Sequence, residues 1–418
     1  MRKLLMAGLF GTLALAIGCG GGGSSTSKTV TIATPTQNVQ PIVVDGGPPG
    51  FIVANQGTPY VNGAFVTLTV CTPASTTSCN TIDHVLVDTG SYGLRILSSS
   101  SGGEFALSLP ETTVGGNALG ECVQFADTSY LWGPVEVADV KIAGEVASSI
   151  PVHVVGDTTF TAASPLPATC NNGSNLDDDS LLGLGANGIL GVGYVQYDCG
   201  DCTTGTPPPG VYYQCPSSGC VPTLVTAAQE VQNPVGLFAS DNNGVIVELP
   251  AASGPQASLS GSLVFGIGTQ SNNALGSATV LPLRLDPSFG YVFTTTLSGS
   301  TMSDSFIDSG SNSLDFDDNS LTASECQDNP FYCPLTPTSL TATNSGVSGS
   351  SNVTFSVINA DNVFNSFPND AAVPGLAAPG NNNSISFDWG LPFFYGKNVF
   401  TSIAGTTAPG GQTPYWAY

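Results

Sequence analysis

Basic residues are almost missing from this chain. Seven Lys and Arg stand against thirty Asp and Glu in 418 residues, a formal net charge of −23. Nucleic acid and anionic lipid surfaces both need a basic footprint, so neither is expected as a partner. Histidine is scarcer still: His84 and His153 are the only two, both in apolar strand contexts. With no G-x-S-x-G either, zinc chemistry and a Ser-His-Asp site are poorly supplied. Only 9% of residues are charged, so Ser, Thr, Asn and Gly must cover much of the surface. Beyond the first twenty residues no apolar run is long enough to span a membrane as a helix.

Glycine and proline are plentiful, at 51 and 30, among many Val/Thr runs. That texture predicts strands and turns rather than long helices. The length suits two domains or two lobes. Strands are expected at 61–70, 82–87 and 135–142, the last with Val135/Val137 and Val140/Ile142 on either side of a shift of face. In the second half they are expected at 245–249, 262–266, 291–296 and 306–308. One helix is expected, Thr223–Gln232, stopped by Asn233-Pro234. The Asn/Ser-rich stretches Thr341–Ser351 and Gly380–Asn383 read as loops.

The N-terminus reads as a targeting segment over 1–18: Arg2 and Lys3, then an apolar stretch to Ile17. Ala16-Ile-Gly-Cys19 resembles the bacterial lipoprotein box, which implies lipidation of Cys19. A flexible tether is expected over 19–45, Gly/Ser-rich from Gly20 to Ser27. The implied location is the bacterial cell envelope, and Gly20 after the lipidated Cys is compatible with outer-membrane sorting. Of eleven Cys, removing Cys19 leaves ten, an even number that suggests disulfides in an exported chain. Close spacing suggests Cys71 with Cys79, Cys215 with Cys220, and Cys326 with Cys333. Cys122, Cys170, Cys199 and Cys202 make two more bridges in an order the spacing leaves open. Cys199-Gly-Asp-Cys202 is better read as a structural disulfide than as a redox or metal pair.

Two stretches carry the chemistry: Val85-Leu-Val-Asp-Thr-Gly-Ser91 and Ser305-Phe-Ile-Asp-Ser-Gly-Ser311. Each is an apolar run that drives a strand inward and delivers one carboxylate at its end. The Gly permits a tight turn, and the hydroxyls can hydrogen-bond the carboxylate. Two carboxylates brought face to face cannot both ionise, which makes an acid/base dyad. Two other patterns carry less. Gly183-Leu-Gly-Ala-Asn-Gly188 lacks a strand–helix unit around it and reads as a close-packed turn. Asp177-Asp-Asp179 lacks calcium-loop spacing and reads as a solvated acidic loop.

Val87-Asp88-Thr-Gly-Ser91 and Ile307-Asp308-Ser-Gly-Ser311 resemble the paired motifs of the pepsin-like aspartic peptidases. Gly188-Ile-Leu-Gly191, Asn233-Pro-Val-Gly-Leu-Phe238, Gly261-Ser-Leu-Val-Phe-Gly266 and Trp389-Gly-Leu-Pro-Phe-Phe394 are similar to further landmarks of that family, in the same order. The chain also resembles a bacterial lipoprotein family of unknown function. The resemblance implies a mainly β, bilobal fold with an N-terminal lobe over 46–238, a C-terminal lobe over 239–418 and a cleft between them. It implies Asp88 and Asp308 as the catalytic pair, with Ser91 and Ser311 on the outer carboxylate oxygens. Thr89 and Ser309 would lock the two loops, and Gly90 and Gly310 shape their turns. No cofactor or metal is implied, the partner is a peptide or protein substrate, and a monomer is expected. The family's flap Tyr has no clear counterpart. In the hairpin Val123–Gly133 its position falls at Ala126, with Tyr130 four residues later, and Arg95 stands where the supporting Trp should be. The alternatives are a non-catalytic pepsin-fold surface protein binding peptide or glycan in the cleft, and a β-rich adhesin whose Asp motifs are only turns.

Overall fold

The computed structural model describes residues 32–33, 36–171, 173–174, 176–208, 210–321, 324–327, 329–380 and 384–418. The expected signal segment, Cys19 and most of Gly380–Asn383 lie outside them. The architecture is mainly β and bilobal, and each half repeats one arrangement around its Asp motif.

In the N-terminal half, strand Cys79–Asp88 runs inward on Val85 and Val87, both fully buried. Burying each such side chain is worth about 1.5–3 kcal/mol, which fixes which face of the strand points to the core. The chain turns at Thr89–Ser91 and leaves as strand Tyr92–Leu97. Strand Gly188–Val192 inserts between the two, parallel to the first (Asp88 opposite Gly191) and antiparallel to the second. The C-terminal half does the same. Strand Ser300–Ile307 leads to Asp308, the chain returns as Leu314–Asp315, and Asp388–Trp389 lies between them. It is parallel to the first and antiparallel to the second.

A continuous sheet joins the halves. Strand Val39–Val44 pairs with Ala64–Cys71 of the first half and with Leu259–Phe265 of the second. Gly244–Leu249, Lys397–Ser402 and Tyr415–Ala417 extend it. The tether expected through residue 45 therefore gives way to sheet by Val39: Ile42 and Val44 face the core, and the backbone finds ladder partners on both sides. One hydrophobic cluster runs through both lobes, from Val87, Leu94 and Leu190 to Ile307, Leu314 and Trp389.

Two further expectations are corrected. Thr223–Gln232 is not a helix but extended chain followed by a turn. Its backbone is held from outside: Val225 N–H donates to the Cys202 carbonyl, Thr223 N–H to the Tyr212 carbonyl, and Val231 N–H to the Tyr212 hydroxyl. Thr341–Ser351 is not a loop but the closed end of a hairpin formed by strands Thr338–Ser345 and Ser350–Val357. Its polar face is solvated, and cross-strand contacts such as Thr341–Thr354 at 3.0 Å and Thr343–Asn352 at 2.8 Å tie it together. The shift of face expected near 138 is a register irregularity between Ala138 and Val140 in strand Tyr130–Ile142. Five disulfides form: Cys71–Cys79, Cys122–Cys170, Cys199–Cys202, Cys215–Cys220 and Cys326–Cys333.

Candidate active site

The two Asp loops meet where the lobes touch. Thr89 N–H donates to the Ser309 hydroxyl at 3.1 Å, and Ser309 N–H donates to the Thr89 hydroxyl at 3.0 Å. Each hydroxyl then donates across to the other lobe's strand, Thr89 to the Ile307 carbonyl at 3.2 Å and Ser309 to the Val87 carbonyl at 2.7 Å. Both residues are fully buried, so every polar atom in this crossing has its partner from the opposite lobe.

The crossing sets the two carboxylates against each other. A side chain built on Gly90 would meet the Asp308 carboxylate at 2.6 Å, and one built on Gly310 would meet that of Asp88 at 2.8 Å. Each glycine is thus the space into which the opposite carboxylate fits. Gly90 N–H and Ser91 N–H donate to Asp88 Oδ1 at 2.7 and 3.1 Å, and the Ser91 hydroxyl to Oδ2 at 2.5 Å. In the other lobe Gly310 N–H donates to Asp308 Oδ1 at 2.7 Å and Ser311 lies 2.9 Å from Oδ2. Burial, and then Asp88 beside it, push the Asp308 carboxyl well above the ordinary carboxylate range, against Gly310 and Ser311.

The first lobe's hairpin joins strands Asn117–Gln124 and Tyr130–Ile142. Ala126 sits in its tip. Tyr130 lies in a buried cluster with Trp132, Tyr213 and the Cys122–Cys170 bridge. Its backbone pairs with Leu176 and Asp178. Asp179, expected in a solvated loop, accepts Trp132 N–H at 2.7 Å, and burial raises its carboxyl to about 8.

Arg95 is buried beneath this hairpin. Its guanidinium lies 2.9 Å from Glu121 on the hairpin strand and 3.3 Å from Asp198, and it also bonds the Tyr92 carbonyl. Burial works against the cation, but Glu121 and Asp198 outweigh it and hold Arg95 above its ordinary value. Burial keeps His153, beside Glu121, near 4. Where the resemblance leads one to expect an aromatic contact, this chain has an ion pair that fastens the hairpin to the strand leaving Asp88.

Sequence reasoning missed three groups. Tyr60 lies near the dyad: burial pushes its hydroxyl up to about 12, Asp178, Asp88 and Asp308 add to the rise, and a hydrogen bond with Asn312 opposes it. Asn62 is a cross-lobe clasp, fully buried. Its amide donates to the carbonyls of Asn312 and Val373 at 2.7 and 3.0 Å, and its Oδ1 accepts Val373 N–H and the Tyr395 hydroxyl. Asp388 stands behind Asp308, with one oxygen 2.6 Å from the Ser311 hydroxyl. Its signal was its place just before the Trp389-Gly landmark. Two cavities, of about 580 and 540 Å³, are lined by neither Asp88 nor Asp308.

Two lobes of matching design, each presenting an aspartate from an Asp-Thr/Ser-Gly-Ser loop to the other, define a pepsin-like fold. By sequence the chain belongs to the family described as protein of unknown function (DUF3443), which it matches over residues 34–418. No curated protein matches it. Among solved structures it is similar to the aspartic proteinase from Irpex lacteus, at 15% identity and a TM-score of 0.49, covering 91% of this chain and 96% of that one.

Proposed function

We propose that this protein is an extracytoplasmic aspartic endopeptidase, anchored through a lipid on Cys19. The observation that carries the reading is the crossing of Thr89 and Ser309, which holds Asp88 and Asp308 face to face. One carboxylate takes a proton from a water held by the pair, while the other protonates the scissile carbonyl oxygen. The water attacks the carbonyl carbon and a tetrahedral diol forms without a covalent intermediate. Collapse of the diol returns the protons and releases the amine and the acid. The cycle needs one proton on the pair, so activity falls on the alkaline side as that proton is lost. The protein works as a monomer on peptide or protein substrates at the cell envelope.

The test is digestion of a peptide mixture by the purified protein from about pH 3 to 7, read by mass spectrometry. Acid-favoured internal cleavage, absent in Asp88→Asn and Asp308→Asn, supports the reading; no cleavage anywhere in that range overturns it. The anchor is tested separately: Cys19→Ser should move the protein out of the membrane fraction, and an unchanged distribution would count against lipidation.

One observation favours a second reading, cleft binding of peptide or glycan without turnover. The hairpin tip offers Ala126 and not a tyrosine, with Tyr130 committed to the disulfide cluster. The adhesin reading has no such support, because its Asp motifs would be surface turns, whereas Thr89 and Ser309 are fully buried.

A further inference from the structure

We infer that Asp388 is a positioning residue for the dyad: its protonated carboxyl donates to Ser311, which turns that hydroxyl's single hydrogen onto Asp308. The catalytic consequence rests on the peptidase reading, while the proton placement stands on geometry alone.

The argument is a count of hydrogens. The Ser311 hydroxyl lies 2.9 Å from Asp308 Oδ2 and 2.6 Å from Asp388 Oδ2. A hydroxyl carries one hydrogen, so it can donate to only one of them. Were both carboxylates ionised, one short contact would set acceptor against acceptor. One carboxyl must therefore supply a proton to the Ser311 oxygen.

The surroundings decide which. Burial and then Asp88 raise Asp308 as well, but the Gly310 N–H at 2.7 Å supports its charged form. Asp388 has no such support: its Oδ1 is buried with no hydrogen-bond partner among the described residues. It also lies directly opposite Asp315 in the antiparallel pair Leu314–Asp315 with Asp388–Trp389, a placement that disfavours two like charges. The Asp315 carboxylate takes its own hydroxyl, Ser313, at 2.6 Å. The groups facing Asp388 are thus Asp308 from the loop after Ser300–Ile307, Asp315 from the return strand and Asp88 across the lobes. Burial, then Asp308, Asp315 and Asp88, hold the Asp388 carboxyl well above its ordinary value, against Ser311. Burial likewise lifts Asp315 to about 6, against Ser313.

While Asp388 keeps its proton, Ser311 supports the charged form of Asp308. When Asp388 ionises, Ser311 turns toward it, and Asp308 loses a donor and gains a charged neighbour. The alkaline limit of the site then belongs to Asp308 and Asp388 together.

The decisive measurement needs no substrate. With ¹³C-labelled aspartate in the full chain, infrared difference spectra between wild type and Asp388→Asn at neutral pH should show one protonated-carboxyl stretch lost. Equal protonated-carboxyl intensity in the two proteins overturns the inference. In the peptide assay Asp388→Asn, whose amide still donates to Ser311, should keep kcat within about twofold. Asp388→Leu, with no donor, should lower kcat by about tenfold or more with KM little changed, the loss of a hydrogen bond to a charged group. An equal fall in both variants would mark Asp388 as merely structural and overturn the inference. A stretch lost in Asp388→Asn, with a wild type that cleaves nothing, would keep the proton on Asp388 and sink only the peptidase reading.

Discussion

Thr89 and Ser309 each accept the other's backbone N–H, at 3.0 and 3.1 Å respectively, across a sequence separation of 220 residues. The relationship is symmetric, and it forces the carboxylates one residue before each of them into a single site. Removing either hydroxyl leaves a buried N–H and a strand carbonyl without partners. Ser309→Ala and Thr89→Val should each cost about 1–3 kcal/mol in urea unfolding, while Thr89→Ser, which keeps the hydroxyl, should cost much less. Equal losses in Thr89→Ser and Thr89→Val would assign the effect to packing and not to the grip.

Gly90 and Gly310 are needed for space and not for backbone freedom. A methyl at Gly90 would sit 2.6 Å from the Asp308 carboxylate. Gly90→Ala should push the two carboxylates apart, abolish any activity of the pair and cost about 1–3 kcal/mol as overpacking. A crystal structure of the variant checks it; unchanged carboxylate positions would contradict the argument.

The buried Arg95–Glu121 pair should behave as a unit. Removing Arg95 takes the cation from both Glu121 and Asp198, and removing Glu121 leaves Arg95 only Asp198, so Arg95→Leu or Glu121→Leu alone should cost about 3–5 kcal/mol, and the double variant less than the sum. A double-mutant cycle by denaturant unfolding tests this, and strict additivity would refute the coupling.

His84 predicts a pH dependence of stability. Burial opposes its charge, but Asp45 and Asp83 lie at 3.3 and 2.9 Å and raise its pKa from 6.5 to about 9. The folded pKa lies above the unfolded one, so the contribution is fully present below pH 6.5 and is lost as pH rises through about 9. Thermal melts across that window should show wild type losing more stability than His84→Gln; parallel curves would contradict the assignment.

Several parts of this design were legible in the sequence for a physical reason. Val85, Val87 and Ile307 mark buried strands, and the Asp-Thr/Ser-Gly-Ser loops that follow can close only in a few ways. Cys71–Cys79 and Cys326–Cys333 are short loops that spacing alone suggests. What was hidden depends on residues far away in the chain. Asn62 is an ordinary turn residue until Asn312, Val373 and Tyr395 arrive around it. Asp388 has meaning only beside Ser311 and Asp315. The Thr223–Gln232 segment carries helical spacing, but Tyr212 and Cys202 take its backbone donors. In Thr338–Val357 polar residues on both faces masked a hairpin, because its edge position lets one face remain wet.

The central claim is that Asp88 and Asp308 act as one acid/base pair on a tetrahedral carbon. Calorimetric binding of a statyl peptide, whose hydroxyl mimics the diol, tests it most directly. Wild type should bind at acid pH, and Asp88→Asn and Asp308→Asn, both still folded by circular dichroism, should lose that binding. No binding by wild type, or equal binding by all three, would contradict the account.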